Sequence, residues 1–138
     1  RSEQLLAEAR RRYPHAPLRV ATKIPPKNLK WPASAGDALR DTYPAEHIRA
    51  FTEKSLRNLD VEAIDLQQFH VWSDAWAPDR EWQDAVRRLK DEGLVRAFGI
   101  SVNRWQPTNV LRALETGLID SVQVVYNIFD QAAEDVLF

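Results

Sequence analysis

The sequence predicts an α/β protein in which four parallel strands alternate with helices. Three observations predict it. Apolar residues recur at helical spacing in some stretches and run together in short strand-length blocks in others. Each such block is separated from the next by a stretch long enough for a helix. Gly93, Gly117, Pro14 and the Pro25-Pro26 pair punctuate the boundaries. At 138 residues, 44% of them hydrophobic, the chain is expected to form one globular domain.

Residues 3–12 read as a helix with Leu5, Leu6 and Ala9 on one face. Arg10, Arg11 and Arg12 fall at its C-terminus, where the helix dipole favours cations, so they need no anion ligand to account for them. Tyr13-Pro14 stops the helix, because proline pushes the preceding residue out of the α region. Leu18–Ile24 is the first strand candidate, ended by Pro25-Pro26. Residues 25–44 read as one long loop holding Trp31 and four prolines, a length usually kept for functional loops. A helix follows over 45–58, with Ile48, Phe51, Ser55, Leu56 and Leu59 at three- and four-residue steps.

Val61–His70 supplies the second strand. The helix over 79–92 carries Trp82, Val86 and Leu89 on one stripe and is followed by Gly93 at the left-handed cap position. Val95–Ser101 is the third strand. Pro107 suits the first turn of a helix reaching Thr116, with Gly117 as its cap. Ile119–Val125 is the fourth strand, and Gln131 opens a last helix. Strands alternating with helices call for parallel pairing through helical crossovers. Periodicity does not choose between a doubly wound sheet and a piece of a barrel.

Several function classes are disfavoured by what the chain lacks. With no cysteine there is no disulfide scaffold, thiol nucleophile or cysteine-ligated metal. The histidines, His15, His47 and His70, have no metal-ligand spacing, so no metal is expected. A net charge of -1 gives no ground to expect nucleic acid. No apolar run approaches the roughly 20 residues of a membrane span, and a cytoplasmic location is the default expectation. None of the four glycines forms G-x-G-x-x-G, which disfavours a Rossmann nucleotide site. Gly99-Ile100-Ser101-Val102-Asn103 lacks the second glycine of a hydrolase elbow.

Parallel α/β folds place their chemistry at the C-terminal ends of the strands. Here those ends are Lys23, His70, Ser101 and the Gln123–Tyr126 segment. Each residue has a plainer reading beside that one. Lys23 could be solvated at a strand terminus, His70 could be a hydrogen-bonded core histidine, and Ser101 could cap the next helix. Gln123, within Val122-Gln123-Val124-Val125, is the least easily explained by packing, since an interior amide must find partners.

Ala21-Thr22-Lys23, Ser55-Leu56-Arg57-Asn58-Leu59 and Ile64-Asp65-Leu66-Gln67-Gln68-Phe69-His70 resemble the aldo-keto reductases. So do Gly93–Ser101 and Val122-Gln123-Val124-Val125-Tyr126-Asn127. Any one block is weak; together, in the family's order, they cover nearly the whole chain. The resemblance implies a (β/α)8 barrel that binds NADPH (or NADH) without a Rossmann domain and reduces small-molecule aldehydes and ketones. It also implies that residues 1–138 are a single partial barrel domain holding strands three to six, since a whole barrel takes roughly 250 residues. Of the family's Asp, Tyr, Lys and His tetrad, Lys23 and His70 match as catalytic residues. The Asp and Tyr would lie upstream of Arg1, so the chain alone is expected to be inactive. Ser101 and Gln123 match ligands of the nicotinamide carboxamide. In many members an asparagine directly follows that serine; here Val102 intervenes, leaving Asn103 as a cofactor-binding candidate.

Trp31, Trp72 and Trp76 fall in loops after strands, as does Trp105, and are expected to line a substrate pocket or to pack those loops onto the rim. Two other readings remain at this stage. One is a non-catalytic half-barrel that self-associates or binds a partner through its exposed edges. The other is a lyase or aldolase with Lys23 as a Schiff-base nucleophile.

Overall fold

A computed structural model describes residues 1–138. Its elements are α1 (Ser2–Arg12), β1 (Ala21–Ile24), α2 (Leu39–Thr42), α3 (Ala45–Leu59), β2 (Ile64–Phe69), α4 (Arg80–Asp91), β3 (Val95–Ser101), α5 (Leu111–Leu114), β4 (Ser121–Gln123) and α6 (Glu134–Leu137). A single turn of 3-10 helix, Asp74–Trp76, follows β2. The four strands form one sheet in the order β1-β2-β3-β4, with every pair parallel.

Register sorts the side chains onto two faces. Lys23 pairs with Gln68, Gln68 with Gly99, and Gly99 with Ser121, so these four form one row across the sheet. Ile24, Phe69 and Ile100 lie one residue on, facing the other way, and belong to the main core. That core adds Trp72, Trp76, Trp82, Tyr43 and Phe98. The aromatic rings meet edge-on or tilted, with Phe69 stacked on Trp72 at 5.5 Å between centroids. Helices α3 and α4 cover this face with the residues their periodicity selects, Ile48, Thr52, Ser55 and Leu59 on α3 and Trp82, Val86 and Leu89 on α4. Asp79 caps α4 by accepting a hydrogen bond from the Glu81 amide, and Gly93 just beyond it has φ of +73°.

Several expectations are corrected. Helix α1 does not bury Leu5 and Leu6, which are 58% and 42% exposed; it buries Ala7. Its orientation is set by Glu3, whose carboxylate accepts from Thr22 Oγ1 at 2.6 Å and Asn58 Nδ2 at 2.8 Å. Burial pushes the Glu3 pKa up, but those hydrogen bonds outweigh it and hold the group below its ordinary value. The 25–44 stretch is not all loop, because α2 closes it and ties its ends through Lys27 N to Thr42 O and Asn28 Nδ2 to Thr42 Oγ1.

The helix expected from Pro107 to Thr116 shrinks to Leu111–Leu114. Asn103 Oδ1 accepts from the Trp105 and Gln106 amides, holding 103–106 in a turn, and Asp74 caps the Arg112 and Ala113 amides from across the fold. The fourth strand is limited to Ser121–Gln123, and the last helix starts at Glu134 rather than Gln131. No helix is long and apolar enough to cross a membrane.

Candidate active site at the strand ends

Strand β1 ends where Pro25 and Pro26 supply no N–H to continue the ladder. Lys23 is therefore the last β1 residue on the face that carries the row Lys23, Gln68, Gly99, Ser121. Two residues further along the same face come His70, Ser101 and Gln123, the last two being direct register partners. Four of the residues singled out from the sequence thus share one face at the C-terminal edge of the sheet. Gly99 opens the centre of that face. A Cβ there would lie 2.7 Å from the Ser121 carbonyl oxygen and 3.1 Å from Gln68 Cγ.

The His70 amide donates to Ile24 O at 3.1 Å, and the ring meets Trp31 edge-on at 5.2 Å between centroids. Partial burial and then the Lys23 ammonium charge lower the His70 pKa below its usual value. At neutral pH the imidazole is therefore uncharged, with one N–H to donate. Lys23 forms no ion pair with any carboxylate of the chain.

Beside His70 lies a cavity of about 370 Å³ lined by Trp31, Pro32, Ala33, Val71, Trp72, Ser101, Val102, Asn103 and Trp105. It adjoins a more polar cleft of about 620 Å³, bounded by Pro32–Ala35, Ser73–Ala75 and residues between Asn103 and Asn109. The wall between loops is fixed by a reciprocal clamp. Asn109 Oδ1 accepts from the Asp74 amide at 2.8 Å, and Asn109 Nδ2 donates to Trp72 O at 2.7 Å.

The tryptophans expected to line a pocket divide. Trp31, half exposed, and Trp105, 74% exposed, stand at the cavity mouth, while Trp72 is buried at 2% and shows the cavity only its edge of the core. Trp76 does not reach the cavity. It is a core residue whose indole N–H donates to Asp37 O at 2.7 Å. The reason is local: the 3-10 turn folds it back against Tyr43 and Trp72.

Ser101 is half-buried, and neither its hydroxyl nor the Gln123 amide is engaged within the chain. Gln123 is exposed rather than interior, since β4 is the edge strand and the face it occupies is open. Ser101 caps no helix. Asn103 keeps only its Nδ2 free, because Oδ1 holds the 103–106 turn. A free hydroxyl and a free amide side by side fit the carboxamide of a nicotinamide, which needs both donors and acceptors; Asn103 fits only as a donor. No group of three or more His, Asp or Glu side chains is arranged to hold a metal ion.

Two features escaped sequence reading. The Asp74–Asn109 clamp joins loops 35 residues apart, and no local pattern announces it. Tyr43 is fully buried with its hydroxyl at the ends of β1 and β2. An aromatic residue just before Pro44, closing a long loop, is the only signal that could have marked it.

A family model described as Aldo/keto reductase family matches residues 1–138. The aldo-keto reductase YhdN of Bacillus subtilis is 32% identical over 83 residues, covering 60% of this chain and 24% of its own length. The NADH-specific methylglyoxal reductase of Escherichia coli is 27% identical over 146 residues, covering 99% of this chain and 43% of its own. Among solved structures, the glycerol dehydrogenase AKR11B4 from Gluconobacter oxydans superposes with a TM-score of 0.72 at 28% identity, over 99% of this chain and 40% of that one. The holo form of the aldo-keto reductase AKR11C1 from Bacillus halodurans gives 0.66 at 26% identity, over 90% of this chain and 39% of that one. The chain therefore spans less than half the length of each of these proteins.

Proposed function

The chain belongs to the aldo/keto reductase family, and from that premise we propose that it is the central part of an NAD(P)H-dependent reductase of aldehydes and ketones. The observation that carries the reading is the placement of Lys23, His70, Ser101 and Gln123 on one face at the C-terminal edge of the sheet.

His70, uncharged at neutral pH, donates its N–H to the carbonyl oxygen, orienting it and stabilising the negative charge that develops there. Lys23 holds an ammonium beside that position and lowers the pKa of the phenol that delivers the proton to the same oxygen. Ser101 and Gln123 hold the carboxamide of the nicotinamide, with Asn103 Nδ2 as an additional donor. When bound, that cofactor supplies hydride to the carbonyl carbon. Trp31, Trp72 and Trp105 exclude water around the carbonyl.

No tyrosine of this chain serves as the proton donor. Tyr43 has its hydroxyl committed to backbone groups, Tyr126 donates to Glu134 at 2.8 Å, and Tyr13 lies in the connection entering the opposite end of β1. On this reading the acid comes from polypeptide outside these residues, and residues 1–138 alone bind but do not reduce.

Fluorescence titration with NADPH tests the reading. Saturable binding is expected, weakened about tenfold by Ser101→Ala or Gln123→Ala through the loss of one hydrogen bond. No saturable binding, or binding indifferent to both substitutions, would overturn it. The same outcome would favour the second reading, a non-catalytic half-barrel. That reading draws on Ile128 and Phe129, exposed at 80% and 92% beside the open sheet edge.

A further inference from the structure

We propose that the Tyr43 hydroxyl is a positioning group for Lys23 and His70, locking the C-terminal ends of β1 and β2 together through Ile24 O and Val71 N. The inference rests on the reading of those two residues as the catalytic pair.

The need for such a lock lies at the strand ends. Val71, one residue past His70 and beyond the end of β2, has no backbone acceptor for its amide. A buried amide left without an acceptor is costly. Tyr43 supplies one: Val71 N donates to its hydroxyl at 3.1 Å, and the hydroxyl donates on to Ile24 O at 3.4 Å. Ile24 O also accepts from the His70 amide at 3.1 Å. One carbonyl and one hydroxyl thus bracket the backbone on both sides of His70 and just after Lys23.

Helix α3 completes the turn, with His47 Nε2 in contact with Pro25 O at 2.8 Å. The loop that delivers Tyr43 also delivers Trp31 against the His70 ring. A phenylalanine would fill the same space, packing on Phe69 at 4.4 Å and on Trp76. The hydroxyl has a burial cost that packing alone does not require, and its partners are the backbone flanking the two site residues.

The test is NMR titration of the His70 imidazole in the wild-type chain, in Tyr43→Phe and in Trp76→Phe. The charged groups around His70 are Lys23 on β1, Arg1 and Glu3 at α1, and Lys54 on α3, and none is altered. Tyr43→Phe is expected to raise the His70 midpoint by on the order of half a unit, as the ring gains water and moves from Lys23. It should also speed exchange of the Val71 amide by about tenfold or more. Trp76→Phe removes a comparable core contact without touching the hydroxyl, and is expected to change neither. The proposal is overturned if Tyr43→Phe leaves both readouts unchanged, or if Trp76→Phe moves them as much. Should Tyr43→Phe not fold, exchange of the wild-type Val71 amide at the rate of an exposed loop amide would also overturn it. Cofactor titration decides the function of the pair separately, since the His70 midpoint does not depend on NADPH.

Discussion

Replacing Gln67 by methionine is expected to stabilise the protein, against the usual direction of core substitutions. Gln67 is fully buried, and neither Oε1 nor Nε2 has a hydrogen-bond partner within the chain. Register places it between Thr22 of β1 and Phe98 of β3. An unsatisfied buried polar group costs about 1–3 kcal/mol, and this amide presents one acceptor and two donors. Methionine follows the same unbranched path with no strong polar atom, and fills irregular space well. Taking one group's penalty as the net gain, because fit is never perfect, gives about 1–3 kcal/mol. For a domain of this size each kcal/mol moves Tm by about 3–5 °C. Thermal and urea unfolding would measure it, with an unchanged urea slope showing that only stability has altered. Gln68→Met is the control. That residue is also buried, but it faces the site, where none of its polar atoms is both sealed off and unpaired, so no gain is expected. Destabilisation by Gln67→Met of 1 kcal/mol or about that would refute the reasoning, because it would mean the amide is paired in solution.

Three other outcomes follow from single contacts. Gly99→Ala should cost about 1–3 kcal/mol by urea unfolding, because the new Cβ meets a backbone oxygen at 2.7 Å that cannot rotate away. Asp74→Ala should cost about 1–2 kcal/mol and speed exchange of the Arg112 and Ala113 amides, which lose the carboxylate that caps them at 2.8 and 3.0 Å. Asp37 is held at about 2 by its hydrogen bond to Lys30 and by the Ser34 amide and hydroxyl. Its ionised form is favoured by the fold, so its contribution is complete above the ordinary value of 3.8 and is lost as pH falls through about 2. Tryptophan emission should report loosening of the Trp31 loop in that window, and Asp37→Asn should abolish the transition.

The sequence was legible where periodicity and packing ask for the same thing. Helices α3 and α4 and strand β3 fall at or within a residue of the expected bounds, because their apolar residues face one continuous core. It misled where a tertiary partner outbids a local signal. Pro107 carries a good helix-start preference, yet Asn103 closes a turn just before it and Asp74 caps the chain only at Arg112. Leu5 and Leu6 carry the apolar weight of α1, yet the half-buried Glu3 carboxylate decides which way the helix turns.

The face that each candidate site residue occupies was legible for a different reason, one that depends on parity rather than hydrophobicity. In a parallel sheet, neighbouring strands keep their side chains in step, so a residue's face is fixed by its distance from any residue of known face. With His70 on the site face, Gln68 must share it and Gln67 must oppose it; with Ser101 on it, Gly99 must follow. Two adjacent glutamines of identical chemistry therefore meet opposite fates. One forms the floor beneath Gly99, and the other is sealed among the helices without a partner. Composition sees the same residue twice, and only register separates a site amide from a core defect. Tyr43 lay beyond this reasoning because it enters from a loop, where no parity applies. Its hydroxyl answers a backbone need, the Val71 amide that has no backbone acceptor just past the end of β2. Reading a strand-end site from sequence thus requires asking which backbone amide is left unpaired where the strand stops, as well as which side chains the strand presents.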